Sequence, residues 1–270
     1  MAEKEDLFTV PADTQLTETI KQQAVSTMPK MTKAELHEQF GDMDADDITI
    51  PRIVILQGLS PEVSEGRGKP GEFFIKGLER NLGAKPIEIV VLLRNKSRIR
   101  WQDLQLGGGL LCRSFDAKEG QGDPGGKCET CKFSAWEISE ANKSGRPGCD
   151  LYQNLIVVLR QDDDWMPMAV SGNRTKLKAL KNLNSLLMVE LSKYRPLFAK
   201  SYIMESQEKT NSKGMRYFSY RVSPGNGNAM IPEAEQFRAY DLYKSLQGKK
   251  IEIVQEQEKD EPVGSPSGEF

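Results

Sequence analysis

The sequence predicts a mainly β fold with minor α, and three observations carry that prediction. Runs of β-branched and aromatic residues recur between positions 48 and 223, separated by turn-forming clusters of Gly, Pro, Asn and Asp. Within that body only residues 173–194 hold a helical period, with a second helical stretch at 232–247. All four cysteines fall inside 112–149, in a segment whose glycines and charges leave it little apolar surface of its own.

Taken in order, residues 1–46 read as an acidic, flexible N-terminal arm, because no sustained apolar period runs through 1–30. Thr32 and Glu35 make a capping box for a short helix before Leu36 and Phe40, which Gly41 ends. His37, the only histidine, lies there. Without a second imidazole, Ser–His, Cys–His and His–metal constellations are disfavoured, and an enzyme with them. ITIPRIVILQGL (48–59) reads as a strand whose first half Pro51 places at an edge or bulge. The loop 60–73 contains neither GxxxxGK[ST] nor GxGxxG, so no phosphate cradle is expected. A longer strand follows in PIEIVVLLRNKSRIRW (86–101), buried in character over its first half and alternating in its second.

Beyond the cysteines, LYQNLIVVLRQ (151–161) and WMPMAVS (165–171) read as strands joined at Asp162, Asp163 and Asp164. Three aspartates can signal magnesium, but consecutive side chains diverge on a strand, and a hairpin turn is the better reading. The helix 173–194 has Asn173 as N-cap and an apolar stripe of Leu177, Leu180, Leu183, Leu187 and Leu191, with Lys176, Lys178 and Lys181 on other faces. FAKSYIMESQEK (198–209) and GMRYFSYRVS (214–223) form a closing strand pair. Pro232 opens the last helix and Gly248 stops it, and the short run IEIV (251–254) precedes a tail without core-forming capacity. Five or six mostly antiparallel strands with one helix before the last pair describe an OB-like antiparallel barrel over 47–254, with a one-helix sandwich as the alternative.

The cysteines are spaced C-x15-C-x2-C-x17-C at Cys112, Cys128, Cys131 and Cys149. Ordering a backbone costs roughly 1–2 kcal/mol per residue, more than the stretch between Cys112 and Cys128 can offset by burial. Cys128 and Cys131 form a knuckle that lets two thiolates face one cation, and the distant pair can complete a tetrahedral all-sulfur shell for structural zinc, a zinc-ribbon-like insertion at 112–149. Disulfides are a second reading, opposed by an N-terminus that does not resemble a secretory signal. A redox pair ordinarily opens a helix after a strand, whereas this knuckle follows a glycine loop. Four unrelated buried cysteines remain the bland reading, opposed by their clustering. A closed four-thiolate shell has no position for water, so zinc is expected as a fold staple and not as a catalyst.

The formal charge of −2 conceals a segregation. Residues 1–47 carry 11 acidic and 4 basic side chains, and 255–270 carry 5 and 1, which leaves a net +9 on 48–254. A basic body between acidic ends points to a polyanion partner. Arg94, Lys96, Arg98 and Arg100 fall at every second position, so a strand would project them from one face at roughly 6–7 Å intervals, close to the repeat of an extended nucleic-acid backbone. Trp101 adjoins them. Arg216, Phe218 and Tyr220 share one face of the last strand, and aromatic and basic residues so interleaved suit base stacking with phosphate pairing. Arg160, Lys176, Lys178, Lys200 and Tyr202 complete the candidate DNA contacts. No apolar run reaches membrane-spanning length, and a cytoplasmic setting is expected.

Together, the four cysteines and the acidic end Glu256–Phe270 give the chain an architecture that resembles the single-stranded DNA-binding proteins of tailed bacteriophages. The T-even version has an OB barrel with a zinc subdomain and an acidic C-terminal region, and another branch ends its acidic tail in phenylalanine. The T-even zinc shell includes a histidine where this sequence offers four cysteines. The resemblance implies a non-enzymatic role in viral DNA replication or recombination. It also implies partner capture by the acidic disordered tail 255–270 through Glu256, Glu258, Asp260, Glu261, Glu269 and Phe270. A zinc-containing transcription or replication adaptor that binds a polymerase, and a metal-dependent nuclease, are the alternatives.

Overall fold

A computed structural model describes residues 50–103, 106–135, 147–160, 165–211, 214–248, 251 and 253. The expected arm 1–46 with its capping box and His37, the three aspartates 162–164 and the tail 255–270 lie outside the described residues. The described chain is mainly β, with few helices, and its spine is β4 (Ile87–Trp101). β8 (Asp150–Leu159) runs antiparallel along one edge of β4, from Ile89↔Leu159 to Ile99↔Asp150. The opposite edge is shared. β10 (Ser201–Thr210) pairs with Ile87–Val90, and β5 (Leu110–Ser114) pairs with Arg98–Trp101.

The sheet continues from β8 to β9 (Met168–Gly172), then to β1 (Arg52–Ile55), β2 (Phe73–Lys76) and β3 (Arg80–Gly83). On the other side β10 carries β11 (Arg216–Pro224). The predicted strand at 48–59 contracts to four residues and joins β9 in parallel, Arg52 opposite Ala169 and Ile53 opposite Val170. Parallel pairing demands a long crossover, which the whole of 56–167 supplies. This insertion of β1 beside β9 leaves an open mixed sheet in place of the expected antiparallel barrel. No backbone ladder joins β1 to β11 among the described residues. Gln57 bridges them instead, its amide N–H donating to the Phe218 carbonyl at 3.0 Å and its oxygen accepting from the Phe218 N–H at 2.9 Å.

Both faces of the central strands are covered, which explains the unbroken apolar run 89–93. Ile87, Ile89 and Val91 pack with Leu155, Val157, Tyr202 and Tyr220 beneath α2 (Arg174–Leu191), the helix that follows the four-residue α1 (Pro61–Ser64). Val90, Leu92, Ile156 and Val158 pack on the other face with Phe198, Ile231 and Ala239 of α3 (Glu233–Leu246). Each such side chain contributes about 1.5–3 kcal/mol of burial. A bulge between Val91 and Leu93 shifts the phase of β4, so that Arg94 pairs with Leu155 and Lys96 with Gln153 on the α2 side of the sheet. In α2 the stripe Leu180, Leu183 and Leu187 is buried, with Ala179 joining it, whereas Leu191 is 41% exposed because the stripe has rotated off the sheet by the last turn. Asn173 takes the N-cap backbone position without a side-chain capping bond. Among the described residues no helix is long and apolar enough to cross a membrane.

Candidate functional site

β5, β6 (Glu119–Gly122) and β7 (Gly126–Lys127) form a small folded arm at the far end of β4. Pairing sets Cys112 opposite Arg100 on one side and opposite Gly122 on the other. Gly122 stands at φ +109°, and a Cβ there would lie 2.2 Å from the Leu111 carbonyl oxygen, so only glycine permits this approach. β7 delivers Cys128, whose N–H donates to the Lys118 carbonyl at 2.8 Å. The Cys131 N–H reaches back to the Cys128 carbonyl at 3.4 Å, and the Ser134 hydroxyl donates to both knuckle carbonyls. Cys149 returns to this turn through its N–H, which donates to the Phe133 carbonyl at 2.9 Å.

No disulfide joins any of the four cysteines, and all of them line one cavity of about 10 Å³. Cys112, Cys128 and Cys149 are buried and Cys131 is half-buried. Among the described residues no three Cys, His, Asp or Glu side chains are placed so that they could hold a metal ion without moving. The cavity is the size of one water-sized sphere, which suits an ion and excludes an organic ligand, and four soft sulfur donors suit zinc. Burial is the largest cause that pushes the Cys149 thiol up to about 11; Cys112 and Cys128 add to it and Arg98 opposes it. A divalent cation would invert that balance.

The four cations of β4 share a face, as their alternation predicts, but they do not share an environment. Arg94 and Lys96 are exposed. Arg98 and Arg100 are half-buried and line the cysteine cavity. Arg100 lies 3.6 Å from the centre of the Phe133 ring and donates to the Asp123 carbonyl at 3.0 Å. Trp101 is half-buried, and its indole N–H has no hydrogen-bond partner among the described residues.

Several other expected DNA contacts prove to be occupied within the protein. Arg160 pairs with Glu88 and with both oxygens of Glu235, tying β8 to β4 and α3; these hydrogen bonds, Glu235 first, hold its pKa above the usual arginine range. Lys200 is 5% exposed and lies between Glu190 at 3.1 Å and the Asn228 side-chain oxygen at 2.8 Å. Lys176 is buried under the close approach of α2 to Gly172. Tyr202 and Tyr220, 1% and 2% exposed, belong to the core, because the inner face of β10 and β11 is the face beneath α2. Phe218 is half-buried against Gly71. Lys178 is exposed, and Arg216 is exposed but paired with Glu208 at 3.3 Å. The tail residues Glu256, Glu258, Asp260, Glu261, Glu269 and Phe270 lie outside the described residues.

One neighbour of the basic row was not a sequence candidate. The Asn184 side chain of α2 donates to the side-chain oxygen of Gln153, the residue opposite Lys96, and exposed Lys181 sits one turn before Asn184 on the same side of the helix. Helical spacing alone could have grouped Lys181 with Asn184, but only the sheet register brings Gln153 to both.

A family model described as Pam3 phage gp34-like protein matches residues 20–252. No curated protein matches, and no solved structure does.

Proposed function

The chain belongs to the Pam3 phage gp34-like family, and from that premise we propose that this phage protein binds single-stranded DNA in viral replication or recombination without acting as an enzyme. The contrast among its cations carries the reading. Arg67, Lys76, Arg160, Arg174, Arg195 and Lys200 each lie within 4.0 Å of a carboxylate, whereas exposed Arg94 and Lys96 have no ion-pair partner among the described residues. Cations left in solvent on one strand face repel one another until a polyanion neutralises them. Lys178 and Lys181 extend the same charge along α2, and Trp101 remains the stacking candidate at the strand's end.

The four cysteines would hold one structural zinc, which supplies folding free energy to an arm with little core of its own. The connectivity β4, β8, β9, α2, β10, β11 places one helix before the last strand pair, which supports an OB-like reading of the central sheet without closure. The acidic tail would recruit replication or recombination proteins, and the setting would be the cytoplasm of the host cell.

A titration of the full chain with fluorescent oligo-dT, single-stranded against duplex, tests the reading. Tighter binding to the single strand is expected, with a steep fall as salt rises. Binding to a polymerase without binding to free DNA would instead support the adaptor, and cleavage that requires magnesium would support the nuclease.

A further inference from the structure

We infer that Arg98 and Arg100 are counter-ions of the four-cysteine metal centre and not phosphate contacts, an inference that rests on the zinc reading above. Backbone pairing puts Arg98 opposite Ser114 and Arg100 opposite Cys112, and residues directly opposite share a face, so both guanidiniums turn toward the sulfurs. Arg98 lines the cavity that all four sulfurs share. Arg100 is fixed by its stack on Phe133, the residue whose carbonyl anchors Cys149, and by the Asp123 carbonyl.

The charge count agrees with the placement. Four thiolates and one divalent cation sum to −2, and a half-buried dianion is costly unless compensated. Arg98 and Arg100 are the charged side chains that line the cavity among the described residues, and together they bring the sum to zero. The Asp123 carboxylate, 3.3 Å from Arg100, is three-quarters exposed and competes weakly through solvent. Arginine suits the task better than lysine, because its plane can stack on a ring while its edge donates hydrogen bonds. The alternating basic row therefore serves two purposes: its first two cations face solvent, and its last two face the metal.

Chelator competition on the full-length protein, loaded with zinc or with cobalt(II) as a spectroscopic substitute, tests the inference without any DNA. Arg98→Gln and Arg100→Gln are each expected to weaken metal binding by about 10–100-fold, as loss of outer-shell partners does, while Arg94→Gln and Lys96→Gln leave it unchanged. The cobalt–thiolate absorption should persist in both arginine variants, since the four sulfurs still bind. Should Arg100→Gln fail to fold, Arg98→Lys supplies the check: it keeps the charge and should hold metal better than Arg98→Gln. Metal held equally by wild type, Arg98→Gln and Arg100→Gln would overturn the assignment, as would equal weakening by Arg94→Gln. A wild-type chain that takes up no zinc would instead overturn the metal centre itself.

Discussion

At the scale of single residues, Glu190 shows how a cation read as a ligand contact can be a structural one. Its carboxylate is 5% exposed, and Lys193, Arg195 and Lys200 all reach it. Burial, the largest influence, favours the neutral acid, but the hydrogen bonds from Lys200 and Arg195 outweigh it and hold the pKa below the ordinary 4.5. A depressed carboxylate contributes stability that is present above about pH 4.5 and is lost as pH falls through the folded pKa. Glu190→Gln leaves Lys200 buried without its counter-charge, so chemical denaturation at pH 7 should show a loss of about 3–5 kcal/mol and a flatter acid limb. Tyr202 supplies the converse case. Its hydroxyl has no hydrogen-bond partner among the described residues, and burial first, then the Glu190 charge, pushes its pKa up to about 12. Tyr202→Phe should therefore keep or raise the melting temperature and leave DNA affinity unchanged; a loss above about 1 kcal/mol would mean the hydroxyl is satisfied. Neither environment is legible in the sequence, because Lys200 and Tyr202 both fall in the strand expected at 198–209, whose alternation defines two faces without saying which one is covered.

At the scale of elements, β4 was the most legible part of the chain. Its apolar first half, its alternating second half and its length were all readable at 86–101, and the strand runs Ile87–Trp101. So were α2, α3 and the closing β10–β11 pair, since long periodic segments declare themselves. The bulge at Val91/Leu93 and the approach of the cysteine arm to Arg98 and Arg100 were hidden, because both depend on partners distant in sequence. The clustering of the four cysteines is plain in the sequence, whereas nothing in it shows that the cavity they line also takes in Arg98 and Arg100. The salt dependence of oligo-dT binding separates the two halves of the row. Arg94→Ala and Lys96→Ala should each lower the slope of log K against log salt by about 0.7, whereas Arg98→Ala and Arg100→Ala in zinc-loaded protein should leave it unchanged. Equal effects at all four positions would restore the uniform row.

At the scale of the whole molecule, charge is separated along the chain, +9 on 48–254 against −4 on 255–270. The acidic segment begins two residues beyond Ile253, whose carbonyl accepts from Arg113 of β5 at 2.8 Å. Sixteen extended residues can span up to about 50 Å, and their net negative charge is attracted to exposed cations such as Arg94 and Lys96. Deleting 255–270 should then tighten single-strand binding at low salt, with the gain fading as ions screen the tail, while Phe270→Ala leaves DNA affinity nearly unchanged. Weaker binding after truncation would make the tail part of the binding surface. Among the described residues the sheet has a seam where a side chain takes the place of a backbone ladder, at Gln57 and Phe218. Such a junction opens for the loss of two hydrogen bonds, far less than global unfolding, so the Phe218 amide should exchange with deuterated solvent by local opening while the buried ladder amides of β4 wait for the whole fold to come apart. Gln57→Leu should speed exchange at Phe218 about tenfold and leave the amides of Ile89 and Val91 untouched, marking the boundary between β1 and β11 as the place where this sheet breathes.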